Sequence, residues 1–321
     1  MRFATFLPAG NVSSPRLGVL LDGRMLDIEA ASRLTGAASN HGPRTMKELL
    51  SLGGEGVDWL YALLERVRSD ASLLAGVCTQ LSDVRWLPPI PDPGKFLCVG
   101  KNYRSHLEEL QRTGLITEIP NEPTAFVKLN ACLTGHESRV VRPPSVVHLD
   151  YEPELVFVIG RHAFQVREQE AFDYVAGITI LNDLTCRDTQ KREVASGSRF
   201  WTAKNAPGFG PVGPFVITMD EVPDPYDIWV TCHVNGEERM RVNTREQIWK
   251  LPQILAHFSR LVPFEPGDMF STGAPGGVAV GKPDAESLFL KPGDVVECAL
   301  EDPVMVLRNR IVSPAGAEDR E

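Results

Sequence analysis

Five consecutive apolar residues, Leu155-Val156-Phe157-Val158-Ile159, follow directly on the acidic stretch Asp150-Tyr151-Glu152-Pro153-Glu154. A strand turns successive side chains to opposite faces, so a run with no polar member has to be covered on both sides. That requirement predicts an interior strand of a layered domain. Similar short runs bounded by Gly, Pro or Asp recur from about residue 95 onward: KFLCVG, GITILND, GPFVITM, IWVTCHVNG, DMFSTG and DVVECAL. Helical patterns are fewer there: SHLEELQRTG, the segment after Asp183, and REQIWKLPQILAHFSRL, where Pro252 is expected to kink or restart the helix. The expected class is α+β and β-rich.

The first 85 residues read differently. Residues 3–29 alternate like a small sheet with Asp22-Gly23 as a hairpin turn, and VDWLYALLERVRSDASLLAGV places Leu60, Leu63, Leu64 and Val67 on one helical face. WLPPIPDPGK then sets four prolines and a glycine within residues 86–95. The expected organisation is a small α/β accessory domain at 1–85, a stiff linker at 86–95, a main domain at 96–314 and a frayed tail at 315–321.

Composition excludes several classes of function. A net charge of −9, with no Lys/Arg-rich block, argues against a nucleic-acid partner. The six cysteines form no CxxC pair and no zinc-knuckle spacing, so they are read as reduced core thiols. Pro8 and Gly10 interrupt the N-terminal apolar character, and no run approaches the length of a membrane helix. The protein is therefore expected in the cytoplasm, away from membranes. GFGPVG, Gly208 to Gly213, matches GxGxxG in letters only, because its prolines make it a connector rather than a strand-to-helix turn. No GxSxG, HExxH or GxxxxGK[ST] pattern occurs.

Glu152 and Glu154 share a face where a buried strand begins, so they must either reach solvent or be compensated by cations. A solvated strand end is one reading. A divalent ion is the other, and Asp183, at the end of GITILND, supplies a third carboxylate. Asp183 could instead cap the following helix, a role open equally to Thr185 with Asp188 three residues on. Three carboxylates on an octahedral Mg²⁺ or Mn²⁺ leave positions for two oxygens of a chelating oxo-acid.

With these blocks in order, FLCVGKNYRSHLEEL, DYEPELVFVIG, ILNDLTCRDTQ, FWTAKN, STGAPGGVAVGKP and LKPGDVVEC, the chain resembles the fumarylacetoacetate hydrolase superfamily over about two hundred residues. The resemblance implies a mixed β-roll in the larger domain, a homodimer, and Mg²⁺ or Mn²⁺ on Glu152, Glu154 and Asp183. It implies a lid carrying a His106/Glu109 catalytic dyad, with Lys204 at the substrate's oxyanion and Gln190, Thr272 and Gly273 at the substrate. Asp150 and Tyr151 fall in the same block without a ligand role. The chain departs from the family pattern at Pro207, where relatives commonly carry Asp, and at Ala274, where many carry a substrate-binding Thr.

The activity this implies is hydrolytic cleavage of a carbon–carbon bond in a diketone or acylpyruvate-type 2-oxo acid. Two alternatives stand beside it: decarboxylation or tautomerisation of a 2-oxo diacid on the same metal, and a homologue that binds a ligand without turnover.

Overall fold

The computed structural model describes residues 1–8, 14–36, 42–112, 120–197 and 201–314. The expected tail at 315–321, the end of SHLEELQRTG and Phe200 of FWTAKN lie outside the described residues. Seven strands position the site: β1 (Arg2–Pro8), β2 (Phe96–Gly100), β3 (Thr124–Val127), β4 (Pro153–Ile159), β5 (Val175–Asn182), β6 (Val216–Thr218) and β7 (Met269–Ser271).

Every residue of β4 is buried. Among the described residues it lies inside an eleven-stranded sheet, hydrogen-bonded antiparallel to β5 on one side and to β7 on the other. The sheet continues from β5 through β6 to β1 and the N-terminal hairpins, and from β7 through β2 to β3. The N-terminal segment thus joins the same sheet as the rest of the chain, and the Pro-rich connection is anchored where Thr5 Oγ1 donates to the Pro89 carbonyl at 2.7 Å.

The alternation along β4 explains why both faces are apolar. Leu155, Phe157 and Ile159 point into a core shared with a five-stranded sheet that contains Trp229–Val234 and Val295–Glu301, including Val230, Cys232, Val296 and Leu300. Val156 and Val158 point the other way, into a core with Phe96, Met269 and the N-terminal residues Leu60, Leu63 and Leu64. Each such fully buried side chain contributes about 1.5–3 kcal/mol relative to exposure. The fold is the expected β-rich α+β arrangement.

Four helices matter here: α1 (Gly53–Arg68), α2 (Arg104–Arg112), α3 (Arg187–Ala195) and α4 (Leu251–Ser259). α1 buries the four predicted residues but stops at Arg68, because Asp70 accepts from the amides of Ser72 and Leu73 and starts a new helix. Pro252 kinks nothing. It occupies the first turn of α4, where its missing amide costs no intrahelical bond. Asp22 and Gly23, with φ of 49° and 75°, form the expected hairpin turn. In GFGPVG, Gly210–Pro211 pairs with Leu133–Thr134 and the chain runs on to strand β6, with no helix to meet a pyrophosphate. The six cysteines are free, and all but Cys78 are buried.

Candidate metal centre and active site

The pairing of β4 with β5 assembles the acids. Pro153 lies opposite Asn182 and Glu154 opposite Leu181, so the residues flanking one strand start and one strand end meet. The Asp183 amide donates to the Glu152 carbonyl at 2.8 Å, and the Glu152 amide donates to Asn182 Oδ1 at 2.9 Å. Glu152, Glu154 and Asp183 are all buried, and each offers a carboxylate oxygen within 4.8 Å of the others. Neither proposed cap forms. α3 begins after Cys186 without a side-chain cap, and Thr185 Oγ1 instead donates to the Asp183 carbonyl at 2.9 Å.

Three buried cations surround this cluster. Lys204 Nζ donates to Glu152 Oε2 at 2.5 Å, to Asp183 Oδ2 and to Thr185 Oγ1 at 2.7 Å. Lys128 Nζ donates to Asp183 Oδ1 at 2.5 Å. Arg187 bridges Asp150, at 2.8 Å, and Glu152, at 2.6 Å. Asp150 is further occupied by the amides of Tyr151, Ala279 and Val280, which leaves it a structural acceptor.

These charges sort the carboxylates. Burial acts to raise Glu152, but Lys204, Arg187 and His106 outweigh it and hold the carboxyl at about 2. Glu154 goes the other way: burial, with Asp183 and Glu152 beside it, pushes it well above the ordinary carboxylate range. Its contact is the Ser271 hydroxyl, which donates to Oε2. Fully ionised, the four carboxylates Asp150, Glu152, Glu154 and Asp183 would outnumber the three buried cations by one charge, and Glu154 relieves that excess by holding a proton. A divalent ion would displace that proton and turn the site net positive, which suits an anionic substrate. Three carboxylates, with no thiolate or imidazole among the described residues grouped with them, favour a hard, oxygen-seeking ion such as Mg²⁺ or Mn²⁺.

His106 and Glu109 lie one turn apart on α2, both buried, with Nδ1 3.5 Å from Glu109 Oε2. The Gly277 amide donates to Glu109 Oε1 at 2.7 Å. A Cβ at Gly281 would stand 2.7 Å from the Glu109 carboxyl carbon, so that glycine makes room for the carboxylate. His106 lies near enough to Glu152 to help keep it ionised. Gln190 Oε1 accepts from Arg187 Nη1 at 2.9 Å.

Thr272 and Gly273, expected at the substrate, lie in the loop that follows β7. Thr272 is fully buried, and its hydroxyl donates to the Leu155 carbonyl at 3.0 Å. Gly273 has φ +90°, and a Cβ there would approach the Val99 carbonyl to 2.6 Å, so this loop packs tightly on the 99–103 segment. Asn102 Nδ2 reinforces that packing by donating to the Thr272 carbonyl at 2.9 Å. Pro207 is exposed and Ala274 buried, and Lys204 draws its support from Glu152, Asp183 and Thr185.

Sequence reasoning missed Lys128, Arg187 and Ser271. Arg187 stands in the quoted RDTQ block, and Ser271 is the one polar residue of β7, aimed at Glu154. Lys128 follows β3 as a lone cation after an edge strand, which reads as surface.

Comparison with known proteins covers nearly the whole chain. The family model described as fumarylacetoacetate (FAA) hydrolase C-terminal matches residues 95–312. The chain is 31% identical to oxaloacetate tautomerase fahd2, mitochondrial, of Xenopus laevis over 304 residues, covering 94% of this chain and 88% of that protein. The fumarylacetoacetate hydrolase of psychrophilic Exiguobacterium antarcticum superposes with a TM-score of 0.76 at 28% identity, over 98% of this chain and 100% of that one. Maleylpyruvate hydrolase of Sphingobium sp. SYK-6, solved with manganese(II) and pyruvate, gives 0.71 at 26%, over 98% and 99%. No helix among the described residues is long and apolar enough to cross a membrane.

Proposed function

Because the chain belongs to the fumarylacetoacetate hydrolase family, we propose that it interconverts the keto and enol forms of a short 2-oxo diacid of the oxaloacetate class. The metal is Mg²⁺ or Mn²⁺ on Glu152, Glu154 and Asp183. One observation carries this reading: a buried carboxylate triad, ringed by cations, beside a His/Glu pair. A tautomerase among the relatives favours it over hydrolysis.

When bound, the divalent ion supplies Lewis acidity toward the substrate's 2-oxo group. The remaining chemistry belongs to the chain. Glu109 faces His106 Nδ1, which leaves Nε2 as the nitrogen to meet substrate. His106 takes a proton from C3, the electron pair of that C–H bond becomes the C2=C3 bond as the carbonyl π pair moves to the C2 oxygen, and the imidazolium then returns the proton to that oxygen. The reverse sequence restores the ketone with nothing gained or lost. Lys204 remains charged, since Asp183 and Glu152 outweigh the effect of its burial, and it supports the negative charge that develops.

The second reading, hydrolysis of an acylpyruvate, draws on the maleylpyruvate hydrolase likeness and needs His106 to take its proton from water instead. The test is oxaloacetate in D₂O with added Mn²⁺. Deuterium entering C3 faster than the uncatalysed rate, without release of CO₂, supports tautomerisation. ¹⁸O from water appearing in a new carboxylate of an acylpyruvate supports hydrolysis. Turnover of neither contradicts both. The proposal includes a homodimer, tested by sedimentation, and residence in the cytoplasm, tested by fractionation because the Xenopus relative is named as mitochondrial.

A further inference from the structure

We propose that Lys128 is a positioning residue of the metal centre, one that fixes which oxygen Asp183 presents and where Lys204 stands. The proposal rests on the metal reading of the triad, though not on the identity of the reaction.

The two lysines beside Asp183 are bonded in different ways. Among the described residues, Lys204 Nζ donates to side-chain oxygens, those of Glu152, Asp183 and Thr185, and faces the Phe126 ring. Such bonds can be exchanged when another cation or a substrate oxygen arrives. Lys128 Nζ reaches one carboxylate oxygen and two backbone carbonyls, those of Lys204 at 2.5 Å and Phe209 at 2.8 Å. An ammonium has three protons to donate, and all three are matched. Carbonyls fixed in the chain cannot follow a departing cation, so Lys128 stays where Lys204 can move.

Its surroundings are built to hold it. Lys128 is fully buried, and its own amide donates to the Phe96 carbonyl at 2.9 Å. The next amide, of Leu129, donates to Asn205 Oδ1 at 2.7 Å, while Asn205 Nδ2 donates to the Val127 carbonyl at 3.1 Å. The segment bearing Lys204 is therefore clamped to the end of β3 from both sides. A Cβ at Gly210 would stand 3.0 Å from Leu133 Cδ2 and 3.1 Å from both Cys132 Sγ and Lys128 Cε, so that glycine helps make room for the lysine stem.

The consequence for Asp183 follows from the division of its oxygens. Oδ1 is held by Lys128, and Oδ2, shared with Lys204, is the one left to offer an incoming ion. Single-oxygen coordination fits the octahedral geometry of the small divalent ions, which a two-oxygen bite would distort. Lys128 also neutralises charge, and the two roles predict opposite results. A pure neutraliser, once removed, leaves a more negative site that binds a cation more tightly. A positioning residue, once removed, frees Asp183 and binds it more weakly, typically by about ten- to a hundredfold for partners that orient a ligand.

The experiment titrates Mn²⁺ alone into chelator-stripped wild type and K128M, following free Mn²⁺ by electron paramagnetic resonance. Affinity falling about tenfold or more is the expected result. Affinity equal to or above wild type overturns the proposal. If K128M does not fold, K128R decides: it keeps the charge, but a planar guanidinium cannot reproduce the three bonds Nζ makes to Asp183, Lys204 and Phe209. Weaker Mn²⁺ binding at an unchanged melting temperature then supports the proposal, and wild-type affinity overturns it. Because the readout is metal binding, a failure of the tautomerase reading leaves this result separately interpretable.

Discussion

Replacing Lys204 with methionine tests how the buried charges are balanced. The side chain is buried, and its ammonium lies 2.5 Å from Glu152 Oε2 while also holding Asp183 Oδ2. Removing one partner of a buried ion pair strands the other and costs about 3–5 kcal/mol. At about 1.5 °C per kcal/mol for a chain of 321 residues, the metal-free protein should melt about 4–8 °C lower. Uptake of a second proton by the acid cluster moves the loss toward the lower end. Mn²⁺ should restore more stability to the variant than to wild type, because it no longer competes with an ammonium for the same oxygens. Each tenfold gain in affinity adds about 1.4 kcal/mol at saturating metal. The assay is thermal melting with and without chelator, over a series of Mn²⁺ concentrations. An unchanged metal-free melting temperature, or a smaller Mn²⁺ shift than wild type shows, would refute the reasoning. Turnover should fall about 10²- to 10³-fold, as expected for loss of a donor at a developing oxyanion.

His106→Ala should lower turnover about 10²- to 10⁴-fold while Mn²⁺ affinity stays near wild type, and full activity in that variant removes the dyad from the reaction. His148 gives a pH signature away from the centre. Burial acts to lower its pKa, but Asp188, 2.6 Å from Nδ1, and Glu286, 3.1 Å from Nε2, outweigh that and raise it. A raised folded value means that its stabilisation is complete below the ordinary value of about 6.5 and fades as pH rises through the folded value. Asp188→Asn should flatten that part of the melting profile, and an NMR titration placing His148 at or below its ordinary range contradicts the assignment.

How much of this was legible in the sequence depended on whether the signal was local. The two faces of Leu155 to Ile159 follow from the period of a strand, and the structure sends alternate residues into two cores. Glu152, Glu154 and Asp183 were visible as acids at the ends of apolar runs, but their meeting depends on the register of β4 on β5, a long-range property. Lys128 was invisible for the same reason, since its partners lie 55, 76 and 81 residues away. Thr185 looked like a helix cap because local spacing cannot reveal a lysine 19 residues on that claims its hydroxyl. Pro252 looked disruptive because the start of α4 could not be located to within a turn, and a shift of two residues makes proline welcome.

The central claim is that three carboxylates at the adjoining ends of two adjacent strands share one doubly charged ion. Anomalous diffraction from crystals soaked in Mn²⁺, recorded at the manganese edge, tests it most directly. The account predicts a single strong peak per chain, within coordination distance of Glu152, Glu154 and Asp183, that disappears in Asp183→Asn. Manganese bound elsewhere, or a peak undiminished by that substitution, would contradict it.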